Sequence, residues 1–196
     1  MNKILKNTVL IGFGLLFLFS NACFAFQLMS TEEALKQIFG TKPNIVEETK
    51  ELEGEQLEQV KERLGGQLVD YQEGSESARV EQEDEVTFYF AEQDGKRYGV
   101  ATVVTEPGKW GPVTFIIAMD TKGTVRTVKV LSYEEKRGRP IARSSFLNQF
   151  QGKSSDDPVK VGQDISGISG ATISSRSAAF AVRKAIALYE VFYGGQ

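Results

Sequence analysis

The sequence contains no histidine and a single cysteine, Cys23. Without histidine the chain cannot form a Ser-His-Asp triad, a His-ligated zinc site or a His-ligated haem. One cysteine cannot form an intramolecular disulfide or hold an iron–sulfur cluster. A redox role for this chain would therefore have to rest on an organic cofactor.

An excess of basic residues is also lacking. The 196 residues include 23 lysines and arginines against 26 acidic residues, a net charge of −3. Proteins that bind nucleic acid usually present a dense basic face to the phosphate backbone. This composition therefore argues against nucleic acid as a partner.

The N-terminal segment has the three parts of a secretory signal peptide. Lys3 and Lys6 provide the positive charge, residues 8–19 are almost wholly apolar, and small residues lead to Ala25. The apolar run is shorter than the ~20 residues of a transmembrane helix. We expect cleavage after Ala25 and an exported domain, periplasmic or on the outer face of the cytoplasmic membrane. A lipoprotein acylated at Cys23 is the alternative.

The remaining length, residues 26–196, suits one domain with a sizeable core. Ser30 and Glu33 have the spacing of a capping box, which predicts a first helix ending at Gly40. Apolar residues at helical spacing from Leu57 to Leu64 predict a second helix. These two helices would form an N-terminal helical extension of the domain.

The middle of the chain changes to a period of two, which is typical of strands. Turns at residues 93–96, 106–112 and 121–123 divide residues 86–133 into an antiparallel meander of about four strands. Residues 113–120 are apolar at alternating positions on both faces, as in a central strand. With a last helix at residues 176–189, the sequence predicts an α+β fold, with helices packed on one antiparallel sheet.

A segment rich in glycine and hydroxyl side chains, residues 164–175, runs directly into this last helix. Such a segment places unpaired backbone N–H groups and the positive end of a helix dipole together, which favours phosphate binding. Its serines could instead simply cap the helix in a flexible loop. Composition alone favours the second interpretation, because capping a helix is a common use of such residues.

Two sets of residues resemble the FMN-binding domain family. The first is Ser169-Gly170-Ala171-Thr172 with Ile173-Ser174-Ser175 behind it and Asp164-Ile165 before it. The second comprises residues 135–141 and 146–153, which resemble the stretch before the motif in NosR-type members. The family also includes the flavin subunits of the sodium-pumping NADH:quinone reductase and of Rnf complexes. The likeness covers about the C-terminal third of the chain, with weaker likeness back to about Tyr98.

The resemblance implies a specific chemistry at Thr172. In the family, the motif threonine carries FMN through a phosphoester bond that a separate flavin transferase installs. The domain would then be an electron carrier or redox-complex subunit rather than a stand-alone enzyme, exchanging electrons with a redox protein or membrane complex. Many members have an aspartate six residues before the threonine, where this chain has Ser166.

The candidate cofactor-binding residues follow from the same resemblance and from the loop. Glu135 and Arg137 are either an exposed charge cluster or charged groups near the flavin. Trp110 lies in a glycine- and proline-rich loop and either covers a flavin face or caps the core. The full candidate set is Thr172, Ser169, Gly170, Ala171, Ile173, Ser174, Asp164, Glu135, Arg137 and Trp110; no catalytic or metal-binding residue is predicted.

Two other functions remain open. A non-redox binding module could use the serine- and glycine-rich loop for a phosphorylated ligand or for protein contacts, and Ser166 in the usual aspartate position favours it. A hydrolase with a serine or threonine nucleophile would need a lysine as its base, because histidine is absent.

Overall fold

The structure is a computed structural model, and it describes residues 26–71, Val80, residues 84–133 and residues 139–194. The predicted signal peptide lies outside the described residues. Two short 3₁₀ turns, Arg139–Ala142 and Asn148–Phe150, flank α3. The elements in chain order are β1 (Phe26–Gln27), α1 (Thr31–Phe39), β2 (Asn44–Glu51), α2 (Gly54–Leu64), β3 (Glu85–Gln93), β4 (Lys96–Pro107), β5 (Pro112–Met119), β6 (Val125–Tyr133), α3 (Ser144–Leu147) and α4 (Thr172–Tyr193).

The strands within the described ranges form one sheet of six, in the order β1-β6-β5-β4-β3-β2. Every neighbouring pair is antiparallel. The predicted meander is β3 to β6, and the α+β fold is confirmed. β1 and β2 add one strand at each edge, so segments from the N-terminal part of the chain belong to the same sheet.

Both faces of the sheet are covered near its centre. In β5, Phe115 and Ile117 face the larger core beneath α4 and α2, whereas Ile116 and Ala118 face a smaller core beneath α1. All four side chains are fully buried. The alternation that predicted a central strand is therefore confirmed by burial on both faces.

The predicted ends of the first two helices are also observed. The Ser30 hydroxyl accepts from the backbone N–H of Glu33 while the Glu33 carboxylate accepts from the N–H of Ser30. Gly65 ends α2 in the left-handed conformation that glycine adopts most easily.

Helix α4 begins four residues earlier than the sequence predicts, at Thr172 instead of Arg176. The prediction assigned the serines before Arg176 to a loop, because serine favours caps and turns. In the structure the Ser175 hydroxyl instead donates to the carbonyl of Ala171, four residues earlier. This side chain is thereby satisfied inside the helix, which can begin before it.

Small residues allow α4 to lie close to the sheet. Ala178, Ala181 and Ala185 are fully buried in the larger core. The orientation of the helix is fixed at both ends, since Ser177 donates to the carbonyl of Pro107 and Tyr189 donates to the carbonyl of Thr121. The N-terminus of α4 therefore lies at the sheet end that carries the β4–β5 hairpin.

A buried ion pair joins β4 to α4. The Glu106 side chain is fully buried, and it accepts from Lys184 Nζ at 3.3 Å and from the backbone N–H of Asp70 at 3.2 Å. Burial raises the pKa of Glu106 to about 7, although the Lys184 ammonium opposes this shift. The folded protein consequently binds a proton here at pH values where the unfolded chain has released it.

This pair predicts a pH-dependent stability. Because the pKa of Glu106 is raised on folding, its contribution to the free energy of unfolding is greatest at low pH and is lost as pH rises through about 7. We expect wild type to lose about 2–3 kcal/mol more between pH 4.5 and 8 than the double variant Glu106→Gln/Lys184→Met. Urea unfolding at several pH values measures this difference.

The double variant is the appropriate comparison because removing one partner alone would leave the other charge buried and unpaired, at a cost of about 3–5 kcal/mol. Equal pH dependence in wild type and double variant would contradict the role assigned to Glu106.

Candidate functional site

The loop before α4 is held by a carboxylate and an ammonium group. Asp164 accepts from the backbone N–H groups of Val159 and Lys160 and forms an ion pair with Lys153 Nζ at 2.8 Å. Partial burial would raise the pKa of Asp164, but the hydrogen bonds from Lys153, Lys160 and Val159 outweigh it and hold the pKa below its ordinary value. The hydrogen bonds and the ion pair of Asp164 therefore stabilise the conformation of its own loop.

Val159 shows how strongly this loop is constrained. Its φ angle is +45°, a left-handed conformation that β-branched residues rarely adopt. The side chain is fully buried, and its N–H donates to Asp164 Oδ2 at 3.1 Å. Apolar burial and a charge-assisted hydrogen bond together hold the residue in this conformation.

Two further side chains hold the exposed part of the loop. Gln149 donates to the carbonyl of Ser166 at 3.2 Å and accepts from the N–H of Ser166 at 2.8 Å. Ser175 accepts from the N–H of Ile168 at 3.0 Å while donating to the carbonyl of Ala171 at 2.9 Å. Hydrogen bonds from Gln149 and Ser175 thus restrain the backbone of residues 166–171 near both of its ends.

Glycine is needed at two positions for different reasons. A Cβ atom at Gly167 would lie 2.9 Å from Val161 Cγ1, so only glycine fits without a shift of that side chain. Gly170 has a φ of +78° with open space around it. Between them they allow the loop to pass close to Val161 and then turn into α4.

Thr172 is the first residue of α4, and its side chain is exposed. The N–H groups in the first turn of a helix have no partner within the helix, and the helix dipole makes this end positive. Ala171 precedes it as the N-cap, without a side-chain capping bond. An accessible hydroxyl therefore lies at a helix end that favours a negatively charged group.

The remaining candidates occupy different environments. Ser169 and Gly170 are exposed, Ala171 and Ile173 are half-buried, and Ser174 is buried in the first turn of α4. The Ser174 hydroxyl thus lies away from the accessible surface around Thr172. Glu135 and Arg137 lie outside the described residues.

Trp110 lies at the tip of the β4–β5 hairpin and is 54% exposed, so it does not cap the core. Lys109 Nζ lies 4.9 Å from the centre of its ring. The hairpin is joined to the first turns of α4 through Ser177 and Pro107. Trp110 is therefore placed at the same end of the molecule as Thr172.

The topology brings a third segment to this end. β6 ends at Tyr133, which pairs with Val113 at the start of β5, next to the hairpin. The hairpin, the end of β6 and the start of α4 thus converge.

Sequence reasoning did not assign Gln149 or Ser175 to the site. Both act on backbone groups of the loop, at separations of 17 and 7 residues. No spacing rule predicts a hydrogen bond from a glutamine in one turn to a backbone amide in a distant loop. The roles of these two side chains can therefore be assigned only from the folded conformation of the loop.

The observed residues fit a phosphate-bearing group better than a metal. Among residues 26–71, 80, 84–133 and 139–194, no cluster of three or more acidic, cysteine or histidine side chains could hold a metal ion. The exposed hydroxyl, the helix N-terminus and the close glycine backbone suit a phosphate. The exposed indole of Trp110, at the same end of the fold, provides a flat surface of the kind that ring systems contact.

Comparison with known proteins agrees with this chemistry. Residues 108–187 match the FMN-binding domain family. The match covers 80 of the 196 residues, and over this stretch the family expected from the motif is confirmed. No curated protein matches the chain.

Seven chains in solved structures resemble this chain, and two of them are as follows. NqrC from Shewanella oneidensis is 18% identical, with a TM-score of 0.52 over 82% of this chain and 86% of its own length. This likeness supports the fold. A Na(+)-translocating NADH-quinone reductase subunit from Parabacteroides distasonis is 23% identical, with a TM-score of 0.47, 58% of this chain covered and 65% of that protein's length. Within the described part of the chain, no helix is both long and apolar enough to cross a membrane.

The geometry of the loop predicts how Gly170 responds to substitution. Gly170→Ala should lower the free energy of unfolding by about 1 kcal/mol, because alanine resists a φ of +78° even though its Cβ would meet no atom. Gly170→Asn should cost less, since asparagine tolerates this region better. Urea unfolding of the three proteins tests the order, and an alanine variant as stable as wild type would contradict the observed backbone.

Proposed function

We propose that this protein is an exported electron-transfer flavoprotein that carries FMN covalently through a phosphoester on Thr172. The observation that carries the proposal is the exposed hydroxyl of Thr172 at the N-terminus of α4, within the segment that matches the FMN-binding domain family. A ligand tethered there would lie beside Trp110 at the end of the sheet.

The charge of the ester matches its surroundings. A phosphodiester retains one negative charge, and the positive N-terminal end of the α4 dipole favours a negatively charged group. The carboxylate of this loop, Asp164, forms an ion pair with Lys153 at 2.8 Å, and Lys153 also contacts Asp157 at 3.1 Å. The phosphate would therefore not face an isolated acidic group from that side.

Attachment needs an activated donor. Esterification by free FMN would have to expel water, whereas a flavin dinucleotide offers a nucleoside monophosphate as leaving group. In that transfer the bond between Thr172 Oγ1 and phosphorus forms, the bond between the two phosphates breaks, and the hydroxyl proton is released. The separate flavin transferase supplies the catalytic groups for this step.

A covalent tether suits an exported protein, because a reversibly bound flavin would be diluted away outside the cell. The bound flavin would supply reversible electron transfer, and the chain would bind it, orient it and adjust its potential. The partner would be a redox protein or a membrane redox complex. The fold shared with NqrC is consistent with such a complex.

Export rests on the predicted signal peptide at residues 1–25, with acylation of Cys23 as the alternative route to the outer face of the cytoplasmic membrane. Either route places the mature domain outside the cytoplasm. Mass spectrometry of the exported protein distinguishes the two, since cleavage after Ala25 removes the cysteine.

Thr172 variants test the attachment site. After expression with a flavin transferase, wild type should keep its yellow colour on denaturation and carry one FMN on the peptide containing Thr172. Thr172→Val, which has nearly the same shape but no hydroxyl, should carry none. Ser155→Ala removes an exposed hydroxyl outside this loop and should remain fully flavinylated.

Two results would count against the proposal. Covalent flavin on Thr172→Val would move the attachment site elsewhere. A wild-type protein that stays colourless, with a Thr172→Val variant that binds a phosphorylated ligand equally well, would favour the non-redox binding module that Ser166 suggests.

Trp110 provides an independent test of where the flavin lies. It is the only tryptophan in the chain, so its fluorescence reports one position. Flavin attachment should quench most of this emission, because the indole and Thr172 share one end of the fold. Trp110→Phe should in turn increase the fluorescence of the attached flavin by several-fold.

The emission of wild type and of the flavin-free Thr172→Val variant gives the comparison. Equal tryptophan emission in the two would place the flavin ring away from the hairpin. Tryptophan quenching without brighter flavin in Trp110→Phe would indicate proximity without ring contact.

A further inference from the structure

Gln149 makes an unusual pair of contacts for an amide side chain. Its Oε1 accepts from the N–H of Ser166 at 2.8 Å, and its Nε2 donates to the carbonyl of the same residue at 3.2 Å. Nε2 also donates to the carbonyl of Phe146 at 3.3 Å. The side chain thus hydrogen-bonds both backbone groups of Ser166, in the way that an adjacent β-strand would. Its bond to the Phe146 carbonyl fixes the orientation of the amide.

The element that carries Gln149 is firmly anchored. The Asn148–Phe150 turn has Phe150 fully buried and in edge-to-face contact with Phe146 at 5.5 Å. Backbone hydrogen bonds join Gly152 and Lys153 to Val125 at the start of β6. Through its hydrogen bonds, Gln149 therefore fixes Ser166 to a well-packed part of the core.

The loop that it holds is otherwise exposed. Ser166, Gly167, Ser169 and Gly170 are all exposed, and two of these four are glycines. Without attachment, each such residue would sample many backbone conformations, and ordering it on encounter with another protein would cost about 1–2 kcal/mol. The Gln149 contact removes part of this cost before any encounter.

We propose that Gln149 is a positioning residue that presents residues 166–172 in a fixed conformation to the enzyme that attaches flavin to Thr172. The interaction surface is this exposed loop with the first turn of α4, and the partner is the flavin transferase. This inference rests on the proposed function. It adds that the folded loop, rather than an extended segment, is the form that the transferase recognises.

Two substitutions separate the hydrogen bonds from the shape of the side chain. Gln149→Met keeps the length but can neither donate nor accept in the same way. Gln149→Glu keeps the shape and can still accept from the N–H of Ser166, but at neutral pH its carboxylate faces the Ser166 and Phe146 carbonyls. Gln163→Glu, at an exposed glutamine in the same segment, introduces the same charge without touching Ser166.

The assay follows covalent flavin on purified full-length mature protein with a flavin transferase and a flavin dinucleotide, by mass spectrometry over time. We expect kcat/KM for attachment to fall about tenfold in Gln149→Met and Gln149→Glu, as the loss of one to two hydrogen bonds would give. Gln163→Glu should react like wild type. Amide hydrogen exchange should accelerate at residues 165–171 in the two Gln149 variants and remain unchanged in the strands.

A pH series adds a readout that a purely structural role would not produce. When the carboxyl group introduced by Gln149→Glu is protonated, it can again donate to the Ser166 carbonyl. The ordinary pKa of a glutamate is about 4.3. The rate of Gln149→Glu relative to Gln163→Glu should therefore recover as pH falls from 6 to 4, whereas Gln149→Met should show no recovery.

The possible failures are distinguishable. If wild type accepts no flavin at Thr172, both the proposed function and this inference are overturned. If wild type is flavinylated and Gln149→Met reacts at the same rate, the inference alone is overturned. It is also overturned if the rate loss is matched by faster exchange throughout the sheet, because the variant has then lost global stability.

Discussion

The position of the first turn of α4 is the constraint on which the site depends. The alanine face of the helix packs on the sheet, and the hydrogen bond from Ser177 to Pro107 fixes its N-terminal end beside the β4–β5 hairpin. Thr172 projects from a helix that cannot rotate or slide without breaking these contacts. The exposed hydroxyl therefore has a defined place relative to Trp110, although both residues lie on the surface.

A buried ion pair also helps to fix the position of α4 on the sheet. Glu106 precedes Pro107 in β4 and forms the buried pair with Lys184, two turns along α4 from Ser177. Two successive residues of β4 thus hold two positions of α4, one by an ion pair and one by a neutral hydrogen bond. A buried pair costs desolvation energy, so its contribution is better understood as fixing the register of helix and strand than as added stability.

Much of the fold follows from the sequence because it depends on local patterns. The capping box at Ser30 and the alternation in residues 113–120 both predict what is observed. The start of α4 does not follow, because Ser175 satisfies its hydroxyl group inside the helix. A motif predicts Thr172 as a candidate, whereas Gln149 depends on a contact across 17 residues that no local pattern encodes.

The same contrast bears on Ser166, which replaces the aspartate found in many members of the family. Its backbone N–H and carbonyl are both paired with Gln149, and its side chain is exposed. A conformation set by the backbone does not require a carboxylate at this position, because the amide of Gln149 supplies the hydrogen bonds from outside the loop. Serine at position 166 is therefore compatible with a loop that is ordered before it meets a transferase, and the absence of the aspartate is not by itself an argument against flavin attachment.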